Sequence, residues 1–465
     1  MRKGQRGQAL ILCTMMLPLV CGAAGLAVDY GLLYLYQSEL DSSTQAAALA
    51  GAQAMSLPGA TTDSTTTAVN TYSGTTGNKN NAFNLTGVTM LSGYPQFKCL
   101  STLTSSFGIQ CFGPSSSNAL VVAQHIQVPL YFLKLFGGDK ATLSSKATAA
   151  MKGAVPAPYN VVIVVDSTSS MTGTDSDSNC HSTRISCAMA GVRTLLQGLS
   201  PCQPTQTSCG SATNGNVPKS VDRVSLLTFP AITTASVAND YTCGSSNPTT
   251  VSYATPFPST STYQILDFQS DFRSSDKATS LNSTSNLVAA VGGKTGCSGL
   301  QIQGGQGTYY PQVIYQAQAY LAAEQLLFPT AQNVMILLGD GDANAASSHM
   351  PGASTTSGTY PSTIQQCHQA ITAAQAAAAA GTHVYSVAYG ATSSGCSTDT
   401  HPTITPCQTM QQIASSPQYF FSDYTATGGS SSCISSAQPV TGLNTIFQAI
   451  LTTLTNVKLI PNGTT

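Results

Sequence analysis

Tryptophan is absent from this chain of 465 residues, and charged residues make up only 8% of it. The 17 lysines and arginines nearly balance the 18 aspartates and glutamates, and they form no basic stripe, which argues against nucleic acid as a partner. Neither an H-E-x-x-H nor a G-x-S-x-G motif occurs, and no pairing of a nucleophile with a base can be identified. We therefore expect a binding or structural protein and not an enzyme.

The chain also lacks a C-x-x-C pair, and its six histidines are scattered, so a zinc site is not indicated. It nevertheless has 14 cysteines, of which only Cys13 and Cys21 lie in the apolar N-terminal segment. The others lie in polar, loop-like sequence, a pattern typical of disulfides in an oxidising compartment. Sequence does not determine their pairing. Short loops suggest the pairs Cys180–Cys187, Cys202–Cys209, Cys99–Cys111 and Cys396–Cys407.

Charge is missing altogether from the 20 residues between Ala9 and Val28. A helix of that length, at about 1.5 Å per residue, crosses a hydrocarbon core of about 30 Å. Because Arg2, Lys3 and Arg6 precede the run, the positive-inside rule predicts a cytoplasmic N-terminus and a bulk that lies outside. The alternative is a signal peptide cleaved at the small residues 23–25.

The remaining chain divides by composition. Residues 30–55 contain no proline and include an alanine-rich stretch, which predicts that the N-terminal helix continues. We predict residues 1–55 as a cytoplasmic tip, transmembrane helix and helical extension, and residues 56–152 as a small β-containing module. Residues 158–457 form the main domain, and residues 458–465 a tail.

From Tyr159 onward, apolar strand patterns alternate with helical ones, which predicts an α/β fold with a doubly wound, mostly parallel sheet. A Ser/Thr-rich insertion at about 230–303 interrupts this alternation. It can fold over the sheet edge as a lid, or it can be a surface loop without a function of its own, held by Cys243 and Cys297. The predicted strands are Tyr159–Asp166, Arg223–Phe229, Asn333–Gly339, His383–Tyr389 and Tyr419–Ser422.

Three short segments far apart in the chain point to one metal site. The segments 166–171 (DSTSSM) and 339–342 (GDGD) each follow an apolar run, and 304–308 (GGQGT) lies between them in the chain. In an open α/β sheet, ligands bind where loops leave the carboxyl ends of strands. Carboxylate and hydroxyl oxygens suit a hard divalent cation such as Mg²⁺. For each aspartate alone, the alternative is a cap on the following helix.

This pattern resembles the metal-ion-dependent adhesion site of von Willebrand factor A domains, where a D-x-S-x-S loop is completed by a distant threonine and a later aspartate before glycine. The resemblance covers roughly residues 158 to 457 and implies a von Willebrand A, Rossmann-like fold. It also implies Mg²⁺, or alternatively Mn²⁺ or Ca²⁺, at five side chains. These are Asp166, Thr168 (where the family usually has serine), Ser170, Thr308 and Asp340.

The start of the chain resembles the TadE/TadG-like proteins of bacterial tight-adherence (Flp) pilus machinery. The resemblance rests on 6–10 (RGQAL), 25–29 (GLAVD) and 46–52 (AAALAGA), and on the order of anchor, small β-containing region and von Willebrand A domain. It implies a TadG-like protein in the bacterial inner (cytoplasmic) membrane. The protein would be single-pass, with its bulk periplasmic or extracellular.

These patterns together predict an envelope-anchored, metal-dependent and non-catalytic binding protein of Flp pilus assembly or adhesion. Two carboxylates only neutralise a divalent ion, so an open coordination position can accept an acidic residue from a protein partner. Other tight-adherence pilus components are the expected partners. The alternative is a structural scaffold of the same fold with a vestigial metal site. A calcium loop starting at Asp175 is not supported, because Cys180 stands where that loop needs glycine.

Overall fold

The structure is a computed structural model in which the chain divides into two compact units. The first consists of residues 1–154 with 456–465, and the second of residues 155–455. The residues that the structure describes are 5–56, 60–74, 87–107, 111, 113–151, 158–176, 180–203, 206–232, 241–243, 262–303, 307–454 and 458–461.

The helices and strands are numbered here in chain order. The helices are α1 (Gln5–Met55), α2 (Thr62–Tyr72), α3 (Ser101–Phe107), α4 (Arg184–Gly198), α5 (Asn286–Ala290), α6 (Pro311–Leu327), α7 (Gln366–Ala379), α8 (Pro406–Ile413) and α9 (Leu443–Leu454). The strands are β1 (Thr89–Met90), β2 (Gln96–Lys98), β3 (Ala119–Pro129), β4 (Lys140–Ala150), β5 (Tyr159–Asp166), β6 (Arg223–Ile232), β7 (Thr262–Gln269), β8 (Gln332–Gly339), β9 (His383–Tyr389), β10 (Phe420–Asp423) and β11 (Lys458–Ile460).

The first unit packs α1 against an antiparallel sheet. β3 and β4 are paired along their whole length, β1 and β2 pair with β3, and β11 pairs with β4. The segment predicted as a C-terminal tail therefore contributes a strand. Small residues of α1, including Ala47 and Ala48, pack on Leu120 and Val122 of β3. A Cβ on Gly51 would collide with the Leu120 side chain, so glycine permits this close approach of helix and sheet.

No helix in the part of the chain that the structure describes is both long enough and apolar enough to cross a membrane. This finding contradicts the predicted transmembrane helix at residues 9–28, and with it the predicted single-pass location in the inner membrane. The side chains of residues 5–15, 18, 19 and 21 lie outside the described ones. Asp29, directly after the predicted span, is buried and accepts hydrogen bonds from the backbone N–H groups of residues 131–133.

The second unit is built around a six-stranded sheet with the order β10-β9-β8-β5-β6-β7. All eight residues of β5 are buried, as expected for a strand covered on both faces. Val161, Ile163 and Val165 contribute to an apolar cluster with α4 and α9. Val162 and Val164 contribute to a second cluster with α6 and α7. Alternate side chains of one strand thus anchor helices on opposite faces.

The edge strand β7 breaks the parallel order of this sheet. Its residues lie in the segment predicted as a long insertion, and they pair antiparallel with β6. Tyr263 and Ile265 are buried while Gln264 and Leu266 are half-buried, so part of the segment alternates as a half-buried strand does. One sheet is antiparallel and the other is mixed. The predicted doubly wound, mostly parallel von Willebrand A (Rossmann-like) fold is therefore wrong for this chain.

Six disulfides join all twelve cysteines outside the N-terminal segment, as an oxidised framework predicts. Three of the four suggested pairs are confirmed, whereas Cys396–Cys407 is wrong, because spacing along the chain does not decide which sulfurs meet in space. The pairs are Cys99–Cys111, Cys180–Cys187, Cys202–Cys209, Cys243–Cys297, Cys367–Cys396 and Cys407–Cys433.

Candidate metal centre

The two predicted carboxylates come from neighbouring parallel strands. Asp166 is the last residue of β5, and Asp340 follows Gly339, the last residue of β8. The strands are in register, with Val165 opposite Leu338. A Cβ on Gly339 would lie 3.3 Å from Asp166 Oδ2, so the glycine leaves room for the carboxylate. Asp166 and Asp340 therefore lie together at the carboxyl edge of the sheet, close enough for their charges to interact.

The loop after β5 supplies two hydroxyl groups. The N–H and the hydroxyl of Thr168 donate to Asp166 Oδ1 at 2.8 and 2.6 Å. Thr168 Oγ1 also lies 2.9 Å from Ser170 Oγ, and Ser170 forms a hydrogen bond with the Asp340 carboxylate. Because Ser170 has a single hydroxyl proton, it donates either to Thr168 or to Asp340. The hydroxyls of Thr168 and Ser170 thus lie next to each other, one bonded to Asp166 and the other within reach of Asp340.

Thr308 belongs to the segment between α5 and α6, far from both other loops in the sequence. Its carbonyl accepts the N–H of Asn344 at 3.0 Å, which ties it to the loop after β8. The N–H of Gln303 donates to Ser167 O at 2.8 Å, which ties the same segment to the loop after β5. Residues 304–306 of the predicted motif lie outside the described residues. Backbone hydrogen bonds therefore hold the three segments together.

Four of the five predicted side chains line one open cavity of about 350 Å³. They are Thr168, Ser170, Thr308 and Asp340. The fifth, Asp166, is completely buried and is joined to the cavity wall through its hydrogen bonds with Thr168. The structure therefore brings all five predicted residues to one place.

One oxygen of the buried Asp166 carboxylate lacks a donor from any described residue. Among the residues that the structure describes, Asp166 Oδ2 is buried with no hydrogen-bond partner. Burial raises the pKa of Asp166 to about 7, helped by the charge of Asp340 and opposed by the hydrogen bonds from Thr168 and by the charge of Arg184. Burial also raises the pKa of Asp340, against the N–H of Asp342. A nearby cation would favour the ionised form of both groups.

The donor set fits a hard divalent cation. It consists of carboxylate and hydroxyl oxygens, which Mg²⁺, Mn²⁺ and Ca²⁺ prefer, and it includes a buried carboxylate oxygen that no described residue satisfies. A second cluster found within the described ranges joins Asp342 with Cys367 and Cys396. Those two cysteines form a disulfide, so they offer no thiolate to a metal. The oxygen site is the better candidate.

Sequence reasoning missed Arg184, whose charge acts on both carboxylates from the start of α4. Its guanidinium lies 5.5 Å from the centre of the Tyr389 ring. No motif around Arg184 marks this role. Asn344, which also lines the cavity, had a weak signal in the polar run after Asp340. Asp175, the start of the rejected calcium loop, is buried and accepts a hydrogen bond from the Tyr389 hydroxyl.

Comparison with known protein families gives a match in the N-terminal helix. A protein-family model described as Flp pilus-assembly TadE/G-like matches residues 7–54, which lie within α1. This match supports the predicted relation to the tight-adherence family and a role connected with pilus assembly. It does not reach the candidate metal centre, and the comparisons show no von Willebrand A domain.

No curated protein matches the chain. Two crystal structures of the pilus adhesin SpaC from Lactobacillus rhamnosus GG are similar to it in part. The first has 15% identity, a TM-score of 0.38 and covers 72% of this chain. The second, in an open conformation, has 17% identity, a TM-score of 0.35 and the same coverage of 72%. This chain spans 32% of the adhesin's length, and with both TM-scores below 0.5 nothing is carried over from it.

Proposed function

We propose that this protein is a non-catalytic binding protein of Flp pilus assembly or adhesion, and that its binding surface depends on a divalent cation. The ligands would be Asp166, Thr168, Ser170, Thr308 and Asp340. One observation carries the proposal: the buried Asp166 carboxylate has an oxygen that no described residue satisfies, beside a second carboxylate and a hydroxyl-lined cavity. The family match at residues 7–54 supports the pilus context.

The charge balance of the site indicates what kind of partner fits. Asp166, Asp340 and Asp342 bring three negative charges and Arg184 brings one positive charge, which together neutralise a divalent ion without excess. The hydroxyls of the three other side chains are uncharged. When bound, the cation would supply a positive centre at the wall of an open cavity. A partner that presents an aspartate or glutamate side chain there would complete the coordination. We propose that other pilus components supply this acidic residue.

A scaffold is the second candidate, and the position of the family match favours it. The match is confined to α1, which packs on β3 through small residues such as Ala47 and Ala48. In this alternative the assembly contacts come from the first unit. The oxygen site is then vestigial, and the protein functions without a bound metal. The two candidates differ in whether partner binding needs a divalent cation.

Thermal unfolding of the full-length chain with EDTA, Mg²⁺, Mn²⁺ or Ca²⁺ tests the proposal. A ligand that binds only the folded state adds about 2.7 kcal/mol at a hundred times its Kd, so Tm should rise with metal concentration. Asp340→Asn should abolish that rise. Asp267→Asn, the same change at an exposed aspartate of β7, should leave the rise intact.

Partner capture from cell extract then separates the two candidates. Under the metal-dependent proposal, pilus components should be retained in Mg²⁺ and released by EDTA, and Asp340→Asn should retain none of them. If the parent chain shows no metal-dependent rise in Tm at millimolar ion, the scaffold becomes the better account.

A further inference from the structure

A disulfide lies directly behind the loop that carries Asp340. The carbonyl oxygen of Gly341 is 3.7 Å from Cys367 Sγ and 3.6 Å from Cys396 Sγ. These are packing contacts, since a disulfide sulfur has no proton to donate. The N–H of Ala343 points to Cys367 Sγ at 3.4 Å. Both sulfurs of one crosslink therefore touch the loop on its buried side.

A hydrogen bond joins the same disulfide to the cavity wall. The N–H of Cys396 donates to Asp342 Oδ1 at 2.6 Å, and Asp342 lines the cavity. The N–H of Asp342 in turn donates to Asp340 Oδ1 at 3.2 Å. A continuous path thus runs from Cys396 through Asp342 to the predicted ligand Asp340.

Tight glycine packing prevents the loop from moving independently of this crosslink. Gly341 has a φ of +82°, and a Cβ there would lie 2.5 Å from Pro406 O on α8. Gly395, next to Cys396, approaches Asp342 so closely that a Cβ would lie 2.9 Å from Asp342 Cγ. The loop is therefore enclosed between the disulfide and the start of α8, and few positions are open to Asp340.

We propose that the Cys367–Cys396 disulfide and Asp342 are positioning elements of the metal centre, so that metal affinity requires this crosslink and not merely a folded chain. This inference rests on the proposed metal site. Groups that orient metal ligands typically change affinity by about 10- to 100-fold when they are removed. Opening the crosslink should weaken metal binding by that factor.

The test is Mn²⁺ titration of the full-length chain by calorimetry, with two double variants. Cys367→Ala with Cys396→Ala should weaken binding about 10- to 100-fold. Cys202→Ala with Cys209→Ala removes another buried disulfide of the same unit, whose Cys209 N–H bonds to Ser274 O and to no residue of the metal centre. That control should lower Tm and leave the Mn²⁺ affinity within about twofold of the parent. If the Cys367–Cys396 disulfide only stabilised the fold, the two double variants would not differ in Mn²⁺ affinity.

A second pair of variants keeps both sulfurs and tests the hydrogen bonds to the Asp342 carboxylate, in case the first double variant does not fold. Asp342→Ala removes the acceptor for the Cys396 N–H and for the side-chain N–H of Asn344, and it should weaken Mn²⁺ binding about tenfold. Asp342→Asn removes the charge but keeps an acceptor oxygen, so it should restore most of the affinity.

The outcomes separate this inference from the proposed function. Equal Mn²⁺ affinity in the parent and in all folded variants would overturn the positioning role while the metal site stands. The same holds if Asp342→Asn is as weak as Asp342→Ala, since the charge would then matter and not the hydrogen bond. A parent chain that binds no Mn²⁺ would overturn both.

Discussion

Two buried aspartates, one in each unit of the chain, have opposite surroundings. Asp29 is 1% exposed, and its carboxylate accepts three backbone N–H groups, from residues 131–133, at 3.0, 2.9 and 2.7 Å. Asp166 is 0% exposed, and within the described part of the chain its Oδ2 has no partner. The same side chain at the same burial is satisfied in one unit and left with an unmet acceptor in the other.

The two pKa values diverge accordingly. Burial by itself would raise the pKa of Asp29, but the three backbone hydrogen bonds outweigh it and hold the pKa below its usual value. For Asp166, burial and the charge of Asp340 together raise the pKa to about 7. Burial therefore does not distinguish a structural carboxylate from a candidate metal ligand; the number of donors around the carboxylate does.

The largest difference that we expect between the units is in their response to reduction. Five of the six disulfides lie within residues 155–455, and Cys99–Cys111 is the crosslink of the first unit among the residues described. Each such bond contributes about 2–4 kcal/mol. Reduction should therefore destabilise the second unit far more. Hydrogen exchange with and without a dithiol measures this, and earlier loss of protection in β3 and β4 would contradict it.

The next effect concerns the metal-free protein. The usual pKa of 3.8 for Asp166 rises to about 7 on folding. As pH rises from about 4 to 7, Asp166 ionises first in the unfolded chain, so the folded state loses stability. Asp166→Asn cannot ionise and should avoid this loss. In urea unfolding with EDTA, the variant should be more stable than the parent at pH 8, and its stability should fall less than that of the parent between pH 4 and 7. Part of the fall should remain, because burial also raises the pKa of Asp340.

Asp29 should show the reverse pH dependence, with a smaller effect. Because its pKa is lowered on folding, the stability that it contributes is present above its usual pKa of 3.8 and is lost as pH falls through the lowered value. Asp29→Ala leaves three N–H groups without their acceptor, so the Tm of the first unit should drop by several degrees at neutral pH. Scanning calorimetry checks this. An unchanged Tm would mean that water replaces the carboxylate at no cost.

The strands that carry the site were predictable, and the reason is physical. A run such as NVVIVV at 160–165 is apolar without alternation, which fits a strand covered on both faces. Parallel neighbours place their carboxyl ends together, so Asp166 and Asp340 were expected to meet. The antiparallel return of β7 was not predicted, because its strand pattern lies inside polar sequence that is typical of a loop.

The contacts behind the site could not be predicted from the chain. Cys396 pairs with Cys367 and not with the nearer Cys407, since the fold of α7 and α8 decides which sulfurs meet. Arg184 acts on both carboxylates only because α4 begins beside them. Local sequence patterns indicate which residues end a strand, but they carry no information about which distant side chains approach that end.

The smallest predicted effect concerns the one departure from the usual hydroxyl pattern of the site. Thr168→Val keeps the shape of the side chain and removes the hydroxyl that donates to Asp166 Oδ1 at 2.6 Å. Asp166 Oδ1 then keeps only the N–H of residue 168, and the site loses one proposed ligand oxygen, so metal affinity should fall by about tenfold. Thr168→Ser keeps the hydroxyl and loses one buried methyl, at a cost to folding of about 0.8 kcal/mol. Its Mn²⁺ affinity, measured by calorimetry, should stay within about twofold of the parent. If serine weakens binding as much as valine does, the packing of the Thr168 methyl group positions the loop, and its hydroxyl is not the cause. The metal affinity would then not depend on how many donors the Asp166 carboxylate has, which is the property that distinguishes it from Asp29.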